Sequence, residues 1–258
     1  MYFGIIGIGA VCNSIIPRLS PEQMLYIIEH AGDRLLFVDT TFVPIIEKLI
    51  PKLPKNLVII VMASSDDSST LSDNFLNYEQ LILESSHDII WPELPENTAA
   101  GLCYTSGTTG NPKGALYSHR STVLHALTTS LNLGPSLGDG MKVLPVVPLF
   151  HVNAWGLPYA APLTGTSLIF PGPNLDGASL FDLMDQENVN SAWGVPTVWL
   201  GLLEEIRKQE RVPSQFQNVV IGGSAAPKSM IEEFESLGIT VCHAWGMTEM
   251  SPVGTQGF

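Results

Sequence analysis

The chain has 258 residues, 45% apolar and 14% charged, enough apolar material to bury roughly 70 to 75% of its unfolded surface in one large or two small domains. Its 25 acidic residues outnumber 12 basic ones and leave a net charge of −13. A nucleic-acid backbone or an anionic membrane would be repelled by most of that surface, which reads as a solvated one.

The opening MYFGIIGIGAVCNSIIP has no basic leader and is short and glycine-rich for a membrane span. It reads as a buried element of an α/β core, and core material at residue 1 suggests a start that has been cut. Ser20-Pro21-Glu22-Gln23 is a capping box that starts a helix running to about Ala31. Leu35 to Val38 then reads as a strand, Phe42 to Ile50 as a helix and Leu57 to Met62 as a strand. The Ser- and Asp-rich stretch from Ser64 to Asp73 reads as a surface loop, Phe75 to Glu84 as a helix, and His87 to Asn97 as a connector.

Ala99 to Tyr104 is a strand-type apolar run and His119 to Leu133 has helical length, which places YTSGTTGNPKG (Tyr104 to Gly114) between a strand and a helix. Three glycines, four Ser/Thr hydroxyls and Lys113 in eleven positions read as a phosphate cradle, because glycine lets backbone N–H groups approach a ligand and Lys113 adds positive charge. Pro112 before Lys113 and Gly114 after it exclude a Walker A loop. Strands are expected at Lys142 to Pro148, Thr166 to Phe170, Ala192 to Val195, Val219 to Ile221 and Thr240 to His243, with helices at Ser179 to Glu187, Pro196 to Lys208 and Pro227 to Leu237. This alternation predicts an α/β fold of mostly parallel sheets flanked by helices, with a first sheet region at about 1–97 and a second at 98–258. The polar turns at 104–114, His151, 222–227 and 246–249 each follow a strand, where ligands of open α/β sheets bind.

Taken singly, these turns are ambiguous. GGSAAP (Gly222 to Pro227) suits an adenine platform but alone reads as a tight strand-to-helix turn, and Glu249 in GMTE alone reads as a solvated carboxylate. His151 sits between apolar neighbours, as a core imidazole would, and Trp155 and Trp199 read as core aromatics. His119, His125 and His243 have no partner at zinc-ligand spacing, and no Gly-x-Ser-x-Gly elbow is present. Cys12, Cys103 and Cys242 stand in apolar contexts without a C-x-x-C pair, as buried free thiols of a reducing, cytoplasmic compartment would.

In order and spacing, YTSGTTGNPKG, PLFHVNAW (148–155), GVPTVW (194–199), GGSAAP and AWGMTE (244–249) resemble the adenylate-forming, AMP-binding superfamily, and FHVNAW resembles its medium- and long-chain acyl-CoA ligases most. The resemblance implies ATP, Mg²⁺ and CoA as cofactor and co-substrates, and a small carboxylic acid as the partner. It implies that Thr105, Ser106, Gly107, Thr108, Thr109, Gly110 and Lys113 hold phosphates. Gly222, Gly223, Ser224, Ala225 and Ala226 would form the adenine and acyl wall, and Trp245, Gly246, Met247 and Thr248 would line the nucleotide. Glu249 and Thr108 would carry Mg²⁺, and Lys113, His151, Thr248 and Glu249 would serve catalysis. His151, Trp155, Val195, Pro196, Thr197 and Gly223 would contact the acyl substrate. The family's ribose aspartate, hinge arginine and C-terminal lysine have no counterpart before Phe258, and its first strands are also missing, so the resemblance implies part of a large domain, without its lid, that turns over little by itself. A non-catalytic nucleotide-binding fragment and an adenylation domain that loads a carrier protein are the other readings. A homodimer is an allowed assembly.

Overall fold

The computed structural model describes residues 1–64, 74–105, 110–133 and 136–257. In chain order it contains α1 (Tyr2–Gly7), β1 (Cys12–Ser14), α2 (Pro21–Ala31), β2 (Leu35–Asp39), α3 (Val43–Leu49), β3 (Val58–Met62), β4 (Leu76–Asn77) and α4 (Tyr78–Glu84). Then come β5 (Ala99–Thr105), β6 (Lys113–Ser118), α5 (His119–Asn132), β7 (Lys142–Pro145), α6 (Val152–Trp155), α7 (Leu157–Thr164), β8 (Ser167–Leu168) and α8 (Gly177–Gln186). The last elements are β9 (Ser191–Gly194), α9 (Pro196–Gln209), β10 (Asn218–Ile221), α10 (Lys228–Ser236), β11 (Thr240–Gly246) and β12 (Val253–Gly257).

A six-stranded sheet in the order β12-β11-β10-β9-β7-β8 carries the second half. All its neighbours pair parallel except β12, which runs antiparallel to β11. Its strands are near-continuous apolar runs because both faces are covered. Leu144, Ala192, Val219, Ile221 and Val241 meet α8, α9 and α10 on one face. Val143, Trp193, Val220 and Cys242 alternate with them and meet Leu133 and the α6–α7 region on the other. Strand order reverses between β7 and β9, the place where an open α/β sheet leaves a crevice at its carboxyl edge. The parallel sheet β2-β3-β4 packs under α2 and α3 around Ile28, Val38, Ile46 and Val61. The third sheet, β1-β5-β6, joins a strand from before residue 97 to two after it.

Local chemistry accounts for the element boundaries. The capping box forms as expected: Gln23 N–H donates to Ser20 Oγ, and the Ser20 N–H donates to Gln23 Oε1, both at 3.2 Å. Gly32, at φ 69°, ends the helix in the left-handed conformation that glycine adopts without penalty. Phe75 to Glu84 is not one helix. Leu76 and Asn77 pair with β3, and Asn77 then caps α4 by accepting from Gln80 N–H at 3.0 Å. The expected loop from Ser64 lies beyond that residue outside the described residues.

Two further expectations are corrected. The apolar opening is not buried core, since α1 buries only Ile6 and leaves Phe3 54% exposed. A six-residue helix turns only one stripe inward; here Tyr2 and Phe3 meet the edge of Tyr159, and the Tyr2 hydroxyl donates to the Leu149 carbonyl at 2.9 Å. The glycine-rich loop does not run from strand to helix. β5 and β6 pair antiparallel from Ala99–Ser118 up to Thr105–Lys113, so the loop is the tip of a hairpin. Continuous alternation in Ala115 and Tyr117 extends the chain as a strand before Ser118 caps α5 through Ser121. Among the cysteines, all free, Cys103 and Cys242 are buried and Cys12 is half-buried.

His125 of α5 presses its ring to 2.5 Å from the point where a Cβ on Gly156 would stand. Burial lowers its pKa from 6.5 to about 4. The unfolded chain therefore holds more protons than the folded one between those values, so this contribution to stability is complete above about pH 6.5 and is lost as the pH falls toward 4. Asp33 acts oppositely: burial raises its carboxyl to about 6, and its contribution is lost as the pH rises through that value. His125→Gln is expected to flatten the acid limb of a Tm-against-pH curve; a limb as steep as that of the parent would contradict this origin.

Candidate active site

Beyond the carboxyl ends of β9, β10 and β11 lies a cavity of about 170 Å³. Its walls are Trp193 of β9, Val220, Gly222 and Gly223 from β10 and its turn, and Ala244, Trp245, Gly246, Met247 and Thr248 from β11 and its turn. His151, Val152 and Trp155 close one side, Leu133 lies behind, and Pro252, Val253 and Gln256 come from the return to β12.

Glycines shape this cavity by what they leave out. A Cβ on Gly222 would stand 3.0 Å from both the Ala244 carbonyl oxygen and the Trp155 ring. Gly223 turns the chain at φ 80°, and a Cβ there would stand 3.0 Å from Val195 Cγ1. Gly246 lies against the Pro252 carbonyl, which also accepts from Met247 N–H at 3.0 Å. The turn after β11 is thereby held to the start of β12, across the cis peptide Ser251–Pro252.

Trp155 reaches its place through α6, which is a left-handed turn: Val152, Asn153, Ala154 and Trp155 have φ of 43°, 54°, 47° and 56°. Such a conformation costs roughly 1–2 kcal/mol per non-glycine residue. All four side chains are buried, and Asn153 Oδ1 accepts from Ser14 Oγ at 3.4 Å and from Cys103 Sγ at 3.7 Å. Asparagine tolerates this region better than most residues, and its carboxamide ties the turn to β1 and β5. Partial burial of the His151 ring lowers its pKa and favours the neutral imidazole.

A second tie runs to the hairpin. The buried Tyr117 hydroxyl on β6 donates to the Thr248 carbonyl, and burial raises its pKa so that it stays a donor. The strand that begins at Lys113 is thus bonded to the turn carrying Thr248 and Glu249.

The family profile described as AMP-binding enzyme matches residues 1–257. This chain belongs to the AMP-binding enzyme family. A medium-chain-fatty-acid–CoA ligase of Ectopseudomonas oleovorans is 49% identical over 257 residues, taking in 99% of this AMP-binding chain and 47% of that protein. A 3-methylmercaptopropionyl-CoA ligase of Ruegeria pomeroyi is 47% identical over 259 residues, with 99% and 48% covered. The solved structure of an anthranilate CoA ligase in complex with anthranoyl-AMP shares the fold, with a TM-score of 0.87 at 22% identity over 99% of this chain and 49% of that one. The chain spans about half the length of the curated relatives it matches.

The cavity of this AMP-binding chain brings together His151, Trp155, Gly222, Gly223, Trp245, Gly246, Met247 and Thr248 among the residues singled out in the sequence. Ser224, Ala225 and Ala226 follow the Gly223 turn away from it; Ala226 N–H donates to His243 Nε2 at 3.4 Å. Val195 touches the Gly223 turn, Pro196 is buried and Thr197 is exposed; none of the three lines the cavity. Glu249 is exposed beside it, and Gly110 and Lys113 are exposed at the hairpin. Thr105 Oγ1 donates to the Lys113 carbonyl at 3.5 Å across the hairpin base. Ser106, Gly107, Thr108 and Thr109 lie outside the described residues. Sequence reading missed Trp193, Tyr117, Asn153 and Gln256. The alternation Ala115, Tyr117 carried a usable strand signal, whereas Gln256 owes its place to the antiparallel pairing of β12.

Two substitutions test this framework. Tyr117→Phe leaves the buried Thr248 carbonyl unpaired and should cost about 1–3 kcal/mol in urea-monitored stability. Gly246→Ala drives a methyl into the Pro252 carbonyl and should cost about 1–3 kcal/mol, with quenching of Trp245 fluorescence altered in the folded state. An unchanged unfolding midpoint in either variant contradicts the corresponding contact.

Proposed function

We propose that the protein is an ATP-dependent acyl-CoA ligase of medium- or long-chain carboxylic acids and that this chain holds its nucleotide and acyl pockets. The observation that carries the reading is the convergence of three strand-end segments, around His151, Gly222 and Gly246, on one cavity with an apolar interior and a more polar edge. Support comes also from the relatives, whose names specify CoA ligases of a medium-chain fatty acid and of 3-methylmercaptopropionate. A cytoplasmic setting fits the three free cysteines.

In the proposed reaction a carboxylate oxygen of the acid forms a bond to the α-phosphorus of ATP and the bond to pyrophosphate breaks. The thiol sulfur of CoA then bonds to the acyl carbon, AMP leaves, and the thiol proton passes to solvent. Position and charge neutralisation supply most of the rate in such transfers, because two anions must be held together. Gly222 and Gly223 line the cavity, and in this reading a flat ring lies along their backbone. Thr248 and the hairpin residues Thr105, Gly110 and Lys113 face the phosphates in this reading, and the neutral imidazole of His151 lies beside the carboxylate. Glu249 and Thr108 would hold a Mg²⁺ in this reading. When bound, that ion neutralises the charge that develops on the phosphate oxygens.

The test is a pyrophosphate-release assay with ATP, Mg²⁺, CoA and acids of graded length, run on this chain and on a form extended to the length of its relatives. The extended form is expected to release pyrophosphate and make acyl-CoA. No release with any acid would refute the ligase assignment, and acyl transfer to a carrier protein but not to CoA would replace it with carrier loading.

A further inference from the structure

Which acid the cavity takes depends on where it ends, and the following rests on the ligase reading above. Strand register sets Trp193, Val220 and Cys242 side by side in one row of the six-stranded sheet. One alternation further toward the carboxyl edge, the same face carries Gly222 on the β10 side and Ala244 on β11. The upper row carries a large side chain only at Val195, beside Gly223, and is small at Gly222 and Ala244, whereas the lower row begins with Trp193. Burial follows the same direction. Trp245 and Met247 at the edge are 55% and 46% exposed, whereas Trp193, Val220 and Leu133 are each 1% exposed.

We propose that Trp193 is the floor of the acyl pocket and sets the longest acyl tail that this protein accepts. The indole stands on β9, which is hydrogen-bonded to β7 with Trp193 opposite Pro145, and it packs with Val220 and Leu133 on the cleft face of the sheet, at the buried end of the cavity. With that floor in place the cavity measures about 170 Å³, close to the roughly 150 Å³ that holds a benzene molecule. Acyl tails end on the indole, and a tail that outgrows the cavity has no space beneath it. Trp193 touches no reacting atom in this scheme and acts on specificity alone.

The experiment is titration of this chain with unreactive alkyl esters of AMP whose tails lengthen one methylene at a time, read by calorimetry. Each added methylene should tighten binding about fourfold until the tail meets the indole, after which affinity falls. In Trp193→Ala, Trp193→Leu and the milder Trp193→Phe, the break should move to longer tails in the order of the space released. Trp199→Phe is the control, because Trp199 is equally buried but packs on the opposite face of the sheet against Gly194. It should lower Tm without moving the break. A break unchanged in every folded Trp193 variant, or moved as far by Trp199→Phe, overturns the proposal and leaves the ligase reading standing. Failure of the unaltered chain to bind any of the esters overturns both.

Discussion

Unbroken parallel register from β9 through β10 to β11 is the constraint on which the rest of the site depends. It aligns Gly194, Ile221 and His243 in one row, where β9 and β10 end while β11 runs on beside β12 to Gly246. Gly222, Gly223, Ala244 and Gly246 beyond that row border the cleft above the sheet. A slip of one residue in β10 would exchange Val220 for Val219 on the cleft face and move Gly222 to the other side. The apolar layers that prevent such a slip lie on both faces, with Phe181, Trp199 and Phe234 beneath and Trp193, Leu157 and Ala160 above.

Against that rigid edge, α6 is the element held at a cost. Four successive left-handed residues cost backbone energy that the burial of Val152 and Trp155 offsets in part. The result is an aromatic ring laid on Gly222 from outside the sheet. No right-handed helix starting at His151 would aim residue 155 in that direction, since successive side chains in the two hands rotate oppositely. The ties from Asn153 to β1 and β5, and from Tyr117 to Thr248, connect the hairpin sheet to the same edge.

Much of the alternation was legible because strands buried on both faces read as short apolar runs, and helices such as α2 and α9 announce themselves by Ser20-Pro21 and Pro196. The convergence of the turns was legible too, since it follows from strand ends and needs no contact information. What stayed hidden is non-local. β6 carries Gly114 beside Lys113 and only a short alternation at Ala115 and Tyr117, so pairing with β5 is what settles it as a strand. β4 exists only because β3 has a free edge, and Leu76–Asn77 alone carries no strand signal. The left-handed sense of α6 depends on Asn153 finding partners far away in sequence. Trp193 could be read as core from its neighbours, as it is, but its position at the bottom of a cavity required the register of three strands.

These features also divide the cleft along the strand direction. Its deep end is formed by Trp193, Val220 and Leu133, and its edge by His151, Thr248 and the backbone of Gly222 and Gly246. Under the ligase reading the two ends select opposite halves of an amphiphilic acid. The apolar end gains from each methylene it covers, and a carboxylate driven into it would lose hydration worth far more than that gain. Orientation then follows from desolvation alone, before any hydrogen bond is formed to the carboxylate. The chain's net charge of −13 does not oppose this, because exposed charges beyond about 8 Å are largely screened at physiological salt. The selectivity that remains to be set is length, and the sheet sets it by the step from Gly222 and Ala244 to Trp193.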